Sequence, residues 1–184
     1  MMSVGETPPL KVLGFLGLGT KETTYLIDDM QVRTRFTPVA IVKAYKPKEL
    51  MLFLTKEAKK AHLAEVVRAV KEFSPKTSVR IVDINTPSNE REVWELFETI
   101  ATHIEKSDRI IFDLTHAFRH TVLISFLAIL YLKEVKGVEI ERIFYGLHTN
   151  DLFTPVIDLT SAVVVVDWLY STREYMNYAR GENL

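Results

Sequence analysis

Arg109-Ile110-Ile111-Phe112-Asp113-Leu114-Thr115-His116-Ala117-Phe118-Arg119-His120 is the stretch on which the reading of this chain turns. Its first half is apolar throughout, the pattern of a strand buried on both faces. Its second half places hydroxyl, imidazole and guanidinium groups where a strand gives way to the helix expected over 117–135. Unpaired N–H groups and the dipole at a helix start favour an anion. Thr115 can cap that helix or bond a ligand oxygen, and His116 and Arg119 can donate to phosphate or stack on a base.

The same alternation recurs outward from this segment. Strands are expected at 11–16, 50–54, 79–84, 140–145 and 154–157. Helices are expected at 38–45, 55–73, 88–105 and 160–179. A hairpin is expected from 23–27 and 31–35 around Asp28-Asp29. In the second helix Leu63, Val66, Val67 and Val70 supply the apolar face. Apolar strands separated by helices imply an α/β fold: a Rossmann-like, doubly wound, mainly parallel sheet with helices on both faces, and a small hairpin insertion after the first strand. Residues 1–10 read as a loose segment and 11–184 as one domain.

Composition narrows the function. The chain has 184 residues, 47% hydrophobic and 26% charged, enough for a sizeable core. Its 23 basic and 24 acidic side chains leave a formal charge of −1, so no broad basic face for duplex DNA is expected and phosphate recognition must be local. Absence of cysteine removes a disulfide scaffold, a zinc ribbon and a thiol nucleophile. The longest apolar stretch, 121–132, falls short of the roughly 20 residues of a membrane span, and the first residues form no signal peptide. A cytoplasmic protein with no membrane segment is expected.

In a doubly wound sheet ligands bind beyond the carboxyl ends of the strands. The loops there contain Gly17-Leu18-Gly19-Thr20, Lys56, Asn85-Thr86 and Thr115-His116-Ala117-Phe118-Arg119. The glycine loop lets backbone N–H groups approach a phosphate, or serves only to reverse the chain. A dinucleotide fingerprint would need glycine at position 22, where Glu22 stands, and a helix where a hairpin is expected; this weighs against a nicotinamide or flavin enzyme. His116 and His120 lie four apart, but Ala117 stands where a zinc protease needs glutamate. His148 and Asp151 could join only by long-range geometry, so no metal and no cofactor are expected. The chain also lacks a nucleophile elbow, a phosphate-binding P-loop, a zinc-deaminase motif and the Arg-x-x-x-x-His of HEPN ribonucleases. No catalytic residue is assigned.

Taken together, Leu16-Gly17-Leu18-Gly19-Thr20, the Thr23-Thr24-Tyr25 to Val32-Arg33-Thr34 hairpin, Asp113-Leu114-Thr115-His116-Ala117-Phe118-Arg119, and Pro155 to Thr160 before a helix with Asp167-Trp168 resemble the CARF (CRISPR-associated Rossmann fold) domains of type III CRISPR ancillary proteins. Many relatives have glycine where this chain has Ala117. The resemblance implies a homodimeric sensor that binds cyclic oligoadenylate, tetra- or hexa-adenylate foremost, across the dimer axis and controls an effector in antiviral defence. It places Gly17, Leu18, Gly19, Thr20, Thr115, His116, Ala117, Phe118 and Arg119 at the ligand, with Lys56, Asn85 and Thr86 as secondary contacts. It also leaves open a ring nuclease that slowly cuts its ligand without metal, by 2′-hydroxyl attack. An effector domain follows in relatives, so a truncated protein is the expectation here.

Overall fold

A computed structural model describes residues 8–148 and 152–179; the expectations for residues 1–7, Asp151 and residues 180–184 lie outside them. Strands β1 (Leu10–Phe15), β2 (Thr23–Ile27), β3 (Met30–Thr34), β4 (Glu49–Leu54), β5 (Ser78–Asp83), β6 (Arg109–Asp113), β7 (Glu139–Gly146) and β8 (Phe153–Asp158) alternate with helices α1 (Thr37–Tyr45), α2 (Lys56–Phe73), α3 (Glu90–His103), α4 (Arg119–Lys136) and α5 (Ser161–Ala179). The strands form one sheet in the order β3-β2-β8-β7-β6-β1-β4-β5. Five neighbouring strands from β7 to β5 run parallel. This is the Rossmann-like α/β architecture read from the sequence.

Strand alternation assigns side chains to the two faces. Val12, Leu50, Leu52, Leu54 and Ile111 point toward α1 and α2, packing with Val39, Ile41, Val66 and Val70. Leu13, Met51, Phe53, Ile110 and Phe112 point the other way, against Leu96 and Ile100 of α3 and Ile124, Ala128 and Leu132 of α4. By the same parity Asp113 follows Ile111 onto the α1 face. Close packing there depends on Gly14: a β-carbon would lie 3.0 Å from Pro38 Cγ and 3.5 Å from Asp113 Cβ. The missing side chain lets the start of α1 rest on β1, beside the end of β6.

Several boundaries differ from expectation. α4 begins at Arg119, not 117, because residues 114–118 form a loop ahead of it. α3 begins two residues late, at Glu90. Asn89 Oδ1 accepts from the Glu92 N–H (3.0 Å), while the Ser88 N–H donates to Glu92 Oε2 (2.7 Å), a reciprocal cap. β8 runs antiparallel to β7 and parallel to β2, which pairs antiparallel with β3, since no helix intervenes to return the chain for a parallel strand. α2 buries Ala58, His62, Val66 and Val70, a four-residue repeat, so its inward stripe includes a histidine absent from the expected face.

The order places β1 at a switch point. From it the chain passes through α1 and α2 to β4 and β5 on one side, then through α3 and α4 to β6 and β7 on the other. The loops after β1 and β6 therefore open toward the same crevice. Two truncations test the core assignment. Ile111→Ala, fully buried, should lose about 2–5 kcal/mol in chemical denaturation. Lys60→Ala, at an exposed site on α2, should change stability by no more than about 0.5 kcal/mol.

Candidate functional site

The site is built at the carboxyl end of β6. Asp113 is fully buried. Its Oδ1 accepts from the Thr115 N–H (2.9 Å) and the Thr115 hydroxyl (2.6 Å), while Oδ2 has no partner among the described residues. Thr115 Oγ1 in turn accepts from the Gly146 N–H at the end of β7 (2.8 Å). Thr115 thus does not cap α4; it ties the loop down to two strand ends. A β-carbon on Gly146 would approach Thr115 Cγ2 to 3.0 Å, close enough that the threonine side chain would have to give way. Burial pushes the Asp113 carboxyl up to about 7 against the opposing hydrogen bonds from Thr115, so near neutral pH the group stands between its two protonation states.

With Thr115 occupied below, Phe118 stands at the N-cap position of α4 and makes no side-chain cap. The Phe118, Arg119 and His120 N–H groups have no partner among the described residues. They form a concentrated patch of donors at the positive end of an 18-residue helix. Phe118 is partly exposed and stacks on His120, with ring centroids 6.0 Å apart, and the Arg119 side chain is exposed. Ala117 is half-buried, its N–H donating to the Leu114 carbonyl (3.2 Å).

The glycine loop meets this segment directly. A β-carbon on Gly17 would lie 3.7 Å from the His116 carbonyl oxygen, whereas Gly19 has open space around it and Leu18 is exposed. Thr20 is buried beneath Arg35, whose Nη2 donates to the Thr20 carbonyl (3.2 Å) and hydroxyl (3.4 Å) while Nη1 pairs with Glu65 (3.0 Å). Lys56, exposed, opens α2 beyond the neighbouring strand β4, with Thr55 Oγ1 capping that helix from the Ala58 N–H (3.3 Å). Asn85 and Thr86 stand apart: they follow β5, the strand at the far edge. Asn85 borders a cleft of about 110 Å³ shared with Asp83, Glu92, Glu95 and Thr99.

Sequence reasoning missed the residues beneath the loops. The His116 ring lies 3.3 Å from the Thr37 hydroxyl through Nε2, and its centroid is 6.0 Å from that of His148. Burial first, then the imidazoles of His148 and His62, lower His116 to about 4, so it is neutral at physiological pH. His62 is buried, neither ring nitrogen hydrogen-bonded among the described residues, against Phe36 at 5.3 Å. Tyr25, also buried, neighbours Thr37, and burial pushes its phenol up to about 12. One sequence signal was available for His62, which falls in register with Ala58, Val66 and Val70; nothing local marks Tyr25, Thr37 or Arg35. Among the described residues no group of three or more His, Cys, Asp or Glu side chains is arranged to hold a metal ion, and no helix is long and apolar enough to cross a membrane.

Against known proteins, the profile of the CARF domain of the CRISPR system endoribonuclease Csx1 matches residues 11–148. This chain belongs to that CARF family. It is similar to the CRISPR-associated protein MJ1674 of Methanocaldococcus jannaschii, with 28% identity over 93 residues, 47% of this chain and 15% of that protein. Among solved structures it is similar to Enterococcus italicus Csm6 bound to cyclic hexa-2′-fluoro-hexa-dAMP. The TM-score is 0.52 at 13% identity, covering 77% of this chain and 34% of that one. The CARF domain therefore spans a minor share of both relatives, and the structural likeness carries the fold alone.

Asp113 and His116 impose opposite pH dependence on folding. Asp113, raised in the fold, binds its proton more tightly folded than unfolded, so its contribution to stability falls as pH rises from about 4 to about 7. His116, lowered in the fold, gives the reverse: its contribution grows as pH rises from about 4 to about 6.5. Asp113→Asn should therefore gain stability relative to the wild type as pH rises through that window, and His116→Gln should lose it. Denaturant melts at a series of pH values read both; parallel curves for wild type and Asp113→Asn would show the carboxyl to be unperturbed.

Proposed function

We propose that this CARF domain is a sensor for cyclic oligoadenylate, a ring of phosphodiester-linked AMP, in type III CRISPR defence. The observation that carries the reading is the convergence, at one switch point, of the uncapped start of α4 with the glycine loop after β1. A phosphodiester oxygen at the Phe118–His120 amides would meet donors already oriented and would need no net basic charge on the domain. Arg119 and Lys56 supply mobile cations at the rim, and Phe118 with His120 offers a stacking surface for adenine. Family membership supports the reading, and so does the cyclic hexanucleotide analogue that Csm6 carries.

The sensor works as a homodimer in this reading. Leu123, Leu127, Tyr131 and Val135 repeat every four residues along α4, and all are exposed, a stripe that a lone domain would leave in water. A second copy packed on it would bring two 114–120 loops together, matching a ligand that has rotational symmetry of its own. A second apolar face on α5, including Trp168, Leu169, Tyr175 and Tyr178, gives an attached effector a place to respond. The ring would then control that effector by favouring one dimer arrangement.

Calorimetry with cyclic tri-, tetra- and hexa-adenylate tests the proposal. Binding of the tetra- or hexa-adenylate is expected, with His116→Ala or Arg119→Ala weakening it about tenfold or more, the worth of one hydrogen bond involving a charged group. Absence of heat with all three rings overturns it. Leu127→Glu should weaken self-association in sedimentation; a wild type that stays monomeric when saturated with ligand would remove the dimer.

A further inference from the structure

We propose that Arg35 is a positioning residue for the loop after β1: its guanidinium ties the Thr20 carbonyl to Glu65 of α2 and so sets the exposed turn at residues 17–19 before any ligand arrives. The proposal deepens the sensor reading above and rests on it only for what the loop then binds.

Between β1 and β2 the chain is gripped at two points. Leu16 and Thr20 are buried, while Leu18 and Gly19 stand in solvent. Leu16 belongs to the apolar core on the α1 and α2 face. Thr20 is held by polar contacts instead. Among the described residues, the hydrogen bonds that reach residues 17–20 from another part of the fold are the two from Arg35 Nη2, to the Thr20 carbonyl (3.2 Å) and, longer, to its hydroxyl (3.4 Å). The guanidinium is fixed in turn from two further sides. Its Nη1 donates to Glu65 Oε2 (3.0 Å), and its Cζ lies 5.6 Å from the centroid of the buried Phe36 ring. A planar fork serves Thr20 with one nitrogen and Glu65 with the other; the ammonium of a lysine is a point charge without that geometry.

The hold suits an anion site because of what it does to the peptide between residues 20 and 21. A carbonyl oxygen repels phosphate, and here the Thr20 oxygen is engaged by a cation. That peptide is trans and planar, so the Lys21 N–H, which has no partner among the described residues, points away from Arg35. Arg35 and Glu65 are each 36% exposed, and an ion pair so placed adds little to global stability. Its weight falls on the loop, where local opening is easiest. Arg33, two residues earlier, pairs with Glu22 but is largely exposed and bonds to no residue of the turn. A direct contact between Arg35 and the ligand would behave differently. Lysine would then largely replace it, and removing Glu65 would free the cation and tighten binding.

The test begins without ligand. In nitrogen-15 relaxation on the folded chain, amide order parameters at residues 17–20 should fall from about 0.8 toward about 0.6 or below in Arg35→Ala and in Glu65→Ala. Arg33→Ala should leave them unchanged. Arg35→Lys should loosen the same residues, and it replaces Arg35→Ala if that variant does not fold. In calorimetry with cyclic hexa-adenylate, a loop competent in about one molecule in ten weakens apparent binding about tenfold, the loss expected for Arg35→Ala, Arg35→Lys and Glu65→Ala alike. Unchanged loop order in Arg35→Ala, wild-type affinity in Arg35→Lys, or tighter binding by Glu65→Ala overturns the proposal. The expected loosening in a chain that binds no cyclic oligoadenylate would instead sink the sensor reading and leave the positioning role intact.

Discussion

A carboxyl group with no access to water sits at the end of the central parallel strands, and the site depends on how it is satisfied. Asp113 takes both the backbone N–H and the hydroxyl of Thr115 on one oxygen, and Thr115 takes the amide of Gly146. Burying such a group costs several kcal/mol unless it is hydrogen-bonded or protonated, and Asp113 is stabilised by both routes. These bonds fix the 114–118 loop at two strand ends instead of letting it run into the helix. Because Thr115 is spent in this way, α4 starts late and without a side-chain cap. Structural satisfaction below the loop leaves unsatisfied donors above it.

That division explains how a domain of formal charge −1 can be read as an anion sensor. The attraction comes from oriented amides at one helix start rather than from a field over the whole surface. Beneath them the His116 imidazole, which burial keeps neutral, adds no charge. α4 links the two tasks of the proposed sensor, since its first residues would face the ligand and its outer stripe of Leu123, Leu127, Tyr131 and Val135 would face a second copy. A shift of this one helix would be felt at both ends.

Most of the fold was legible because its strands are apolar on both faces and its helices carry their own start signals. Pro38 and the Ser88–Glu92 segment announce helices within one or two residues, and the Asp28-Asp29 turn sits where the structure turns, with Asp28 at a φ of 48°. Direction in the outer sheet was not legible, because an antiparallel β8 looks locally like any other short strand. At the site, the two loops that meet were both visible as chemistry at strand ends. Their underside was not: Tyr25 lies on β2, Arg35 just after β3, Thr37 at the start of α1 and His62 on α2, segments distant in sequence from β6 that only the tertiary fold gathers under the loops. Thr115 misled for a related reason. Threonine before a helix reads as a cap, and only the neighbouring strand shows that its hydroxyl is already engaged.

Amide hydrogen exchange with and without cyclic hexa-adenylate tests the central claim most directly. The account predicts that ligand slows exchange at residues 16–20 and 114–121 and leaves the acidic cleft around Asn85, Glu92 and Glu95 unchanged. Protection confined to that cleft, with the start of α4 exchanging as fast as before, would contradict it.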